Sequence, residues 1–337
     1  MKLISSVDEI NRNDWFRLVN ESDTASFFQT PECFEFFQSL SFLEPFIVGY
    51  EVDNTLRAVV AGYLIAEDSL LKRRISKRAI IHGGPLLDKD FTPDELNLLL
   101  VELRKYLDKQ DIIYAEIRNY NDFSKYKKTF EDAGFKYYQH YNFHVKLIDK
   151  NTNLQMLSKT KRRQLNLAGS NDVSWELSNE KDDLIQFYAI LSKLYKHQLS
   201  LPLFPFEFFE KILTQAWCLF FVVKKNGKLI GGNLCVKLND LILYEWFVCG
   251  QDRVVDNTFP SLMATWAVIE YGTTNSFKLF DMMGAGSPQT NSGVRNFKSK
   301  FGGELVEYGR FRYTRYPLVF ALVKTLLKSY QYFRKRT

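Results

Sequence analysis

The chain has 337 residues, and 45 Lys and Arg against 39 Asp and Glu leave a net charge of +6. That length favours two domains, each able to bury its own core. A content of 46% hydrophobic and 25% charged residues excludes a disordered chain. The modest positive charge permits a polyanionic partner or an anionic membrane face and demands neither.

Aromatic residues reach 15%, which suits thick cores and flat stacking surfaces. Cys33, Cys218, Cys235 and Cys249 lack CxxC spacing and read as free thiols. His82, His140, His144 and His197 are too scattered to form a metal site of recognisable spacing. The opening Met1-Lys2-Leu3-Ile4-Ser5-Ser6-Val7-Asp8 contains no apolar signal core. No run reaches the roughly 18 apolar residues of a membrane span. By exclusion, a cytoplasmic protein is expected.

In chain order, Phe46–Tyr50 predicts a strand, Asp53-Asn54 a turn and Leu56–Ile65 a returning strand. A helix near Glu95–Leu107 leads to the strand Ile112–Ile117. A short helix ending at Phe135 follows, and then a strand over Tyr137–Leu147. The polar stretch Ile148–Asn153 predicts a domain junction, giving units over 1–150 and 151–337. Leu154–Ala168 predicts a helix with a basic face (Lys159, Lys161, Arg162, Arg163), stopped by Gly169.

The second half repeats the first. Leu219–Val223, the turn Asn226-Gly227 and Leu229–Val236 form another hairpin, and a shift of 174 positions takes Phe46 onto Phe220. Leu241–Cys249 predicts the next strand. A helix over Pro260–Tyr271, a strand over Phe277–Met282, a short helix ending at Gly303 and a strand over Glu304–Tyr313 then repeat the later elements. Pairing Phe130 with Phe297 gives a shift of 167. Two matches so close in shift indicate a duplicated α/β unit with small loop insertions.

A hairpin followed by strands that alternate with helices and splay apart resembles the GCN5-related N-acetyltransferase (GNAT) fold. Two such units in tandem resemble the FemAB family, whose better-known members add amino acids to the peptide of peptidoglycan precursors. The segments that carry the likeness are Trp15-Phe16 with Ser26-Phe27-Phe28-Gln29-Thr30, His82-Gly83-Gly84-Pro85-Leu86, and Lys161-Arg162-Arg163 with Ala168. Phe280-Asp281-Met282-Met283-Gly284 and Phe297-Lys298-Ser299-Lys300-Phe301-Gly302-Gly303 complete the set. The resemblance implies an α/β mixed-sheet fold of two tandem GNAT-like units and an acyl- or aminoacyltransferase. It places Gln29, His82 and Gly84 in family motifs of the first unit. Lys298 falls at the position of the family's catalytic lysine.

Acyl transfer to an amine requires an attacking nitrogen that can lose a proton. It also requires positive charge or N–H donors at the carbonyl oxygen. In a GNAT unit the acyl group lies where two central strands part, here Leu241–Cys249 and Phe277–Met282. Lys298 would stabilise charge there, or be an ordinary solvated lysine. Asp281, among apolar neighbours, is either a base of raised pKa or an acceptor for the N–H groups of Gly284–Gly286. Tyr244 and Glu245 are alternates on the preceding strand.

A Gly-x-Gly pyrophosphate loop is missing after Cys249, which counts against acetyl-CoA and suits an aminoacyl-tRNA co-substrate. No tightly bound cofactor is expected. Lys159, Lys161, Arg162, Arg163, Arg295, Lys298 and Lys300 could then meet tRNA phosphates. Phe37 stands where the family's phosphate-binding lysine is expected, so a nucleotide- or lipid-linked acceptor is in question. Lys72-Arg73-Arg74 with Lys77-Arg78, before His82, is either a replacement near the cleft or an exposed basic turn. The apolar stretch from Pro317 with its basic end Arg334-Lys335-Arg336 forms either a helix on an anionic membrane surface or one packed on its own domain.

Three readings follow. The first is FemAB-like transfer onto an amine of a cell-envelope precursor. The second is CoA- or carrier-dependent N-acylation of an amino sugar, and the third a non-catalytic RNA- or partner-binding module.

Overall fold

The computed structural model describes residues 2–67, 75–199, 202–252, 256–289, 293–322 and 325. The expected cluster Lys72-Arg73-Arg74 lies outside these, as does most of the C-terminal stretch. In the first half the strands are β1 (Lys2–Ile4), β2 (Glu44–Val52), β3 (Thr55–Ile65), β4 (Arg78–Gly83), β5 (Leu86–Leu87), β6 (Tyr114–Asn119) and β7 (Lys136–Tyr138). They continue with β8 (Tyr141–Lys146), β9 (Val173–Leu177), β10 (Cys218–Lys225), β11 (Lys228–Leu238), β12 (Ile242–Gly250), β13 (Leu279–Gly284), β14 (Glu304–Glu307) and β15 (Arg310–Thr314).

Both predicted hairpins form, for the reason their turns suggested. Asp53 and Asn54 take φ of 49° and 60°, and Asn226 and Gly227 take 49° and 73°. Such left-handed pairs match the twist of the strands they join. The strands run one to four residues longer than predicted because cross-strand pairing continues past the apolar stretch.

Each half builds one sheet, and the two sheets have the same plan. The first is ordered β1-β2-β3-β4-β6-β15-β7, with β5 beside β3. The second is ordered β9-β10-β11-β12-β13-β8-β14. Each contains a parallel pair at the same place, β4 with β6 and β12 with β13. The duplication inferred from sequence is thus a duplication of sheet order.

The expected division at residue 150 needs correction. The compact units are Met1–His140 with Glu307–Thr337, and Tyr141–Val306. The single strand predicted over Tyr137–Leu147 is two, and so is the one over Glu304–Tyr313. β7 stays in the first sheet while β8 enters the second; β14 stays in the second while β15 enters the first. Each sheet therefore receives its sixth strand from the other half of the sequence. Gly309 takes φ of 66° at this crossing, where any side chain would collide with the Tyr137 ring, and its N–H bonds the His140 carbonyl at 3.1 Å. The polar stretch read as a junction is a helix start, because Asp149 caps Lys150–Met156. The predicted helix over Leu154–Ala168 is also two, the second being Lys159–Ser170, capped by Ser158.

One face of the first sheet packs on the helix Pro93–Lys109, around Leu99, Leu103, Ile117, Phe130 and Phe311. In the second unit the helix Pro260–Thr274 lies on Phe221, Leu243, Phe280 and Met282. Phe320 packs on Tyr114 at 5.1 Å, while Leu318 and Leu322 are exposed.

Phe311 on the exchanged strand stacks on Phe130 at 3.9 Å and is fully buried. Phe311→Ala is expected to lower unfolding free energy by about 3–5 kcal/mol, measured by urea denaturation. A loss below about 1 kcal/mol would mean that β15 is dispensable to the first sheet.

Candidate active site

The central strands of the two units differ in one respect. β4 and β6 pair without a break from Arg78↔Tyr114 to Gly83↔Asn119. β12 and β13 pair only at Ile242↔Leu279, Leu243↔Phe280 and Tyr244↔Asp281, although β12 continues to Gly250 and β13 to Gly284. Beyond Tyr244 the two strands part. On its other side β12 carries a bulge: Leu234 faces Phe247 and Cys235 faces Glu245, so Trp246 is an extra residue. Bulges of this kind re-aim backbone groups beside functional sites. Among the described residues, the opening between central strands is found in the second unit.

Lys298 occupies the mouth of that opening. Its helix, Gly293–Lys298, follows β13, and its side chain is 8% exposed. The ammonium donates to the carbonyl oxygens of Met282 and of Gly284 (3.2 Å) and lies 3.3 Å from Glu245 Oε1. Glu245 is 5% exposed, and its second oxygen accepts from Asn233 Nδ2 at 3.0 Å. Asn233 Oδ1 in turn accepts from the Cys235 thiol at 3.3 Å. Burial foremost, with Glu245 adding, pushes the Cys235 thiol well up, so it remains a donor. The lysine is therefore neither solvated nor free: three acceptors match its three protons. Gly302 makes the tight turn after it, at φ of 75°, where a Cβ would lie 2.6 Å from the Met156 carbonyl oxygen.

Asp281 ends the paired part of β13 and is 1% exposed. Its Oδ1 accepts from Met283 N–H at 2.6 Å, not from the Gly284–Gly286 amides expected from sequence. Met283 takes φ of 56° to make this bond. Its Oδ2 lies 3.4 Å from His144 Nε2 on β8, directly opposite in register. Phe143, Val145, Phe280 and Met282 point into the core. Alternation therefore sends His144 and Asp281 to the other face, with Tyr244 beside Asp281 on β12. His144 is 14% exposed in its side chain. Sequence reading passed over His144 and Asn233. A histidine one strand from Asp281 is visible only once β8 is known to cross into the second sheet.

Gln29, His82 and Gly84 come together in the first unit. Gln29 is fully buried, accepts from Ser26 Oγ at 2.7 Å and donates to the Gly84 carbonyl at 3.0 Å. Gly84 takes φ of 81° against the Phe123 ring. His82 lies between the hydroxyls of Tyr63 (3.2 Å) and Tyr120 (2.6 Å). Burial, helped by Arg118 and Arg310, pushes its pKa well down, so the ring is neutral.

The remaining expected residues are dispersed in the second unit. Arg295 donates to the carbonyls of Ala285 (3.1 Å) and Ser287 and lies over the Tyr141 ring, fixing the loop after β13. Arg162 bonds Gln155, and Arg163 and Lys300 are exposed. Among the described residues no helix is long and apolar enough to cross a membrane.

Removing one member of a buried ion pair leaves the other charged and unsolvated. Lys298→Met is thus expected to cost about 3–5 kcal/mol of stability, and adding Glu245→Gln to restore part of it. Equilibrium denaturation of the two single variants and the double variant measures the coupling. Additive losses would mean that the pair is not coupled.

Residues 156–299 match the acetyltransferase (GNAT) domain family. No curated protein matches the chain by sequence. Among solved structures, FemX is similar with a TM-score of 0.71 at 12% identity, over 96% of this chain and 100% of that one. The C-terminal domain of a putative lysylphosphatidylglycerol synthetase from Agrobacterium fabrum gives 0.60 at 13% identity, over 94% and 95%. A tandem GNAT protein from the clavulanic acid biosynthesis pathway gives 0.59 at 10% identity, over 93% and 98%. At such identities the structural likeness establishes the fold, and the domain match adds the acyltransferase class. The two sheets of one plan share the fold of FemX and of the tandem GNAT protein, and the segment that contains the strand opening matches a GNAT acetyltransferase domain.

Proposed function

We propose that the protein transfers an aminoacyl group from aminoacyl-tRNA to an amine of a cell-envelope precursor, at the opening between β12 and β13. The observation that carries this reading is the opening itself, present in the second unit and zipped shut in the first. The Agrobacterium neighbour, a putative lysylphosphatidylglycerol synthetase, supports an amino acid as cargo and an envelope component as acceptor.

The start of the helix Pro260–Thr274 supports that donor. A helix N-terminus after such a strand is a natural seat for a diphosphate. Here the Asp252 carboxylate already takes the Ser261 N–H (3.1 Å) and hydroxyl. A CoA diphosphate would have to displace that carboxylate or meet its charge. An aminoacyl ester carries no group that needs this seat.

In the reaction the acceptor nitrogen attacks the ester carbonyl carbon, the C–O bond to the ribose breaks, and the ribose oxygen leaves with a proton. The attacking ammonium must first lose one. His144, with Asp281 behind it, is placed to receive that proton on the face where Tyr244 and Asp281 meet. Lys298 holds the strands apart and keeps a positive charge beside the developing oxyanion. Burial pushes Cys33, Cys218, Cys235 and Cys249 up in pKa, so direct aminolysis fits better than a thiolate relay.

Radiolabelled charged tRNA is expected to yield transfer to an amine acceptor, and radiolabelled acetyl-CoA none. Transfer from acetyl-CoA alone would instead favour N-acylation of an amino sugar. His144→Asn is expected to lower kcat about 100-fold or more. Wild-type turnover in that variant would remove His144 as the proton acceptor.

A further inference from the structure

Beside its strand opening the second unit buries two polar atoms that make no hydrogen bond among the described residues. One is Nδ2 of Asn142 on β8, a residue 4% exposed. The other is Oδ2 of the buried Asp281, although His144 Nε2 lies 3.4 Å away. A buried donor or acceptor without a partner is costly, and folded proteins keep few of them. Both groups belong to one face of the sheet. Asn142 and His144 alternate with the core residues Phe143 and Val145, so they share the face of Asp281 and Tyr244.

The β8–β13 ladder steps from His144↔Asp281 to Asn142↔Gly284, so Met282 and Met283 together stand against Phe143. A residue directly across a strand pair is the usual neighbour of a side chain such as Asn142. Gly284 supplies no side chain there, and it is exposed on the part of β13 that β12 no longer pairs. The amide therefore stands next to the parted strand end.

The first unit has the same rungs without the opening. There Glu116↔Arg312 and Arg118↔Arg310 occupy the matching positions between β6 and β15. Glu116 Oε1 accepts from Arg118 at 3.0 Å and Arg310 at 2.8 Å, and Oε2 from Arg312 at 2.7 Å. Both carboxylate oxygens are thus used within the protein where the central strands stay paired. In the second unit, where the strands part, Asp281 Oδ2 and Asn142 Nδ2 are left over.

The carboxamide edge of Asn142 offers one acceptor and one donor side by side. An α-aminoacyl group presents the complementary pair, an ammonium and a carbonyl oxygen on adjacent carbons. A plain acyl group has the carbonyl alone. We propose that Asn142 is a specificity-determining residue that selects an acyl group with a free α-ammonium. Its Oδ1 accepts from the ammonium and its Nδ2 donates to the carbonyl oxygen, with Asp281 Oδ2 as second acceptor for the ammonium. Identifying that group as the transferred cargo rests on the proposed reaction, but binding can be read without turnover.

Isothermal titration of the full chain with 3′-glycylamino-3′-deoxyadenosine and with its N-acetyl derivative tests this. In both compounds a stable amide replaces the ester, and glycine makes no demand on a side-chain pocket. Wild-type protein is expected to bind the free-amino compound about 10- to 100-fold more tightly. Asn142→Leu is expected to erase most of that difference, and Asn142→Ser, which keeps a donor and an acceptor, to retain part of it. Without ligand the Leu variant should melt at or above the wild-type temperature, because the unpaired amide is gone. A merely structural asparagine would instead give a lower melting temperature and an unchanged preference. The proposal is overturned if the wild type binds the two compounds equally or binds neither, or if Asn142→Leu keeps the preference. Preference for the free amine without transfer from charged tRNA would count against the proposed reaction alone.

Discussion

A buried ammonium group between two parting strands is the constraint on which the second unit depends. Moving a lysine charge out of water costs several kcal/mol, and the protein offsets this with Glu245 and two β13 carbonyls. Both carbonyls lie on the part of β13 that β12 no longer pairs. The lysine thus supplies donors to two β13 carbonyls at the opening. Asn233 and Cys235 extend the chain of donors behind Glu245. Such networks are rigid when every member is satisfied.

The two units show how one sheet plan can be specialised. In the first, the central parallel pair is closed, and aromatic rings around His82 fill the face above it: Phe28 stacks on the imidazole at 5.1 Å, and Tyr120 lies alongside. In the second, a bulge in β12 and a left-handed residue in β13 bend the strands away from one another. The differences are confined to a few backbone positions. Sheet order, parallel pairing and the covering helix are common to both.

Much of this could be read from the residues themselves. The two hairpins announced themselves through Asp53-Asn54 and Asn226-Gly227, whose turn chemistry is local. The repeat was visible because the same apolar spacing recurs at nearly one shift. What escaped was long-range. Tyr137–Leu147 reads as one strand because its alternation continues through Gln139-His140, and nothing local says that the chain changes sheets there. The domain boundary and the His144–Asp281 contact were lost with that single misreading. Lys298 was legible by resemblance, but its burial was not, since its acceptors are backbone carbonyls and a glutamate 53 positions earlier.

The exchange of β8 and β15 also governs the order in which the molecule can be completed during synthesis. Arg312 meets Glu116 across 196 positions of sequence, so the amino-terminal sheet lacks an interior strand until almost the whole polypeptide has left the ribosome. Most multidomain chains mature from their leading end. This one must keep its first sheet waiting, with the edges of β6 and β7 uncovered. Contacts so distant in sequence also slow the final step. The exchanged strands thereby tie completion of the first sheet to synthesis of the second, whose last strand, β14, precedes β15 in the chain.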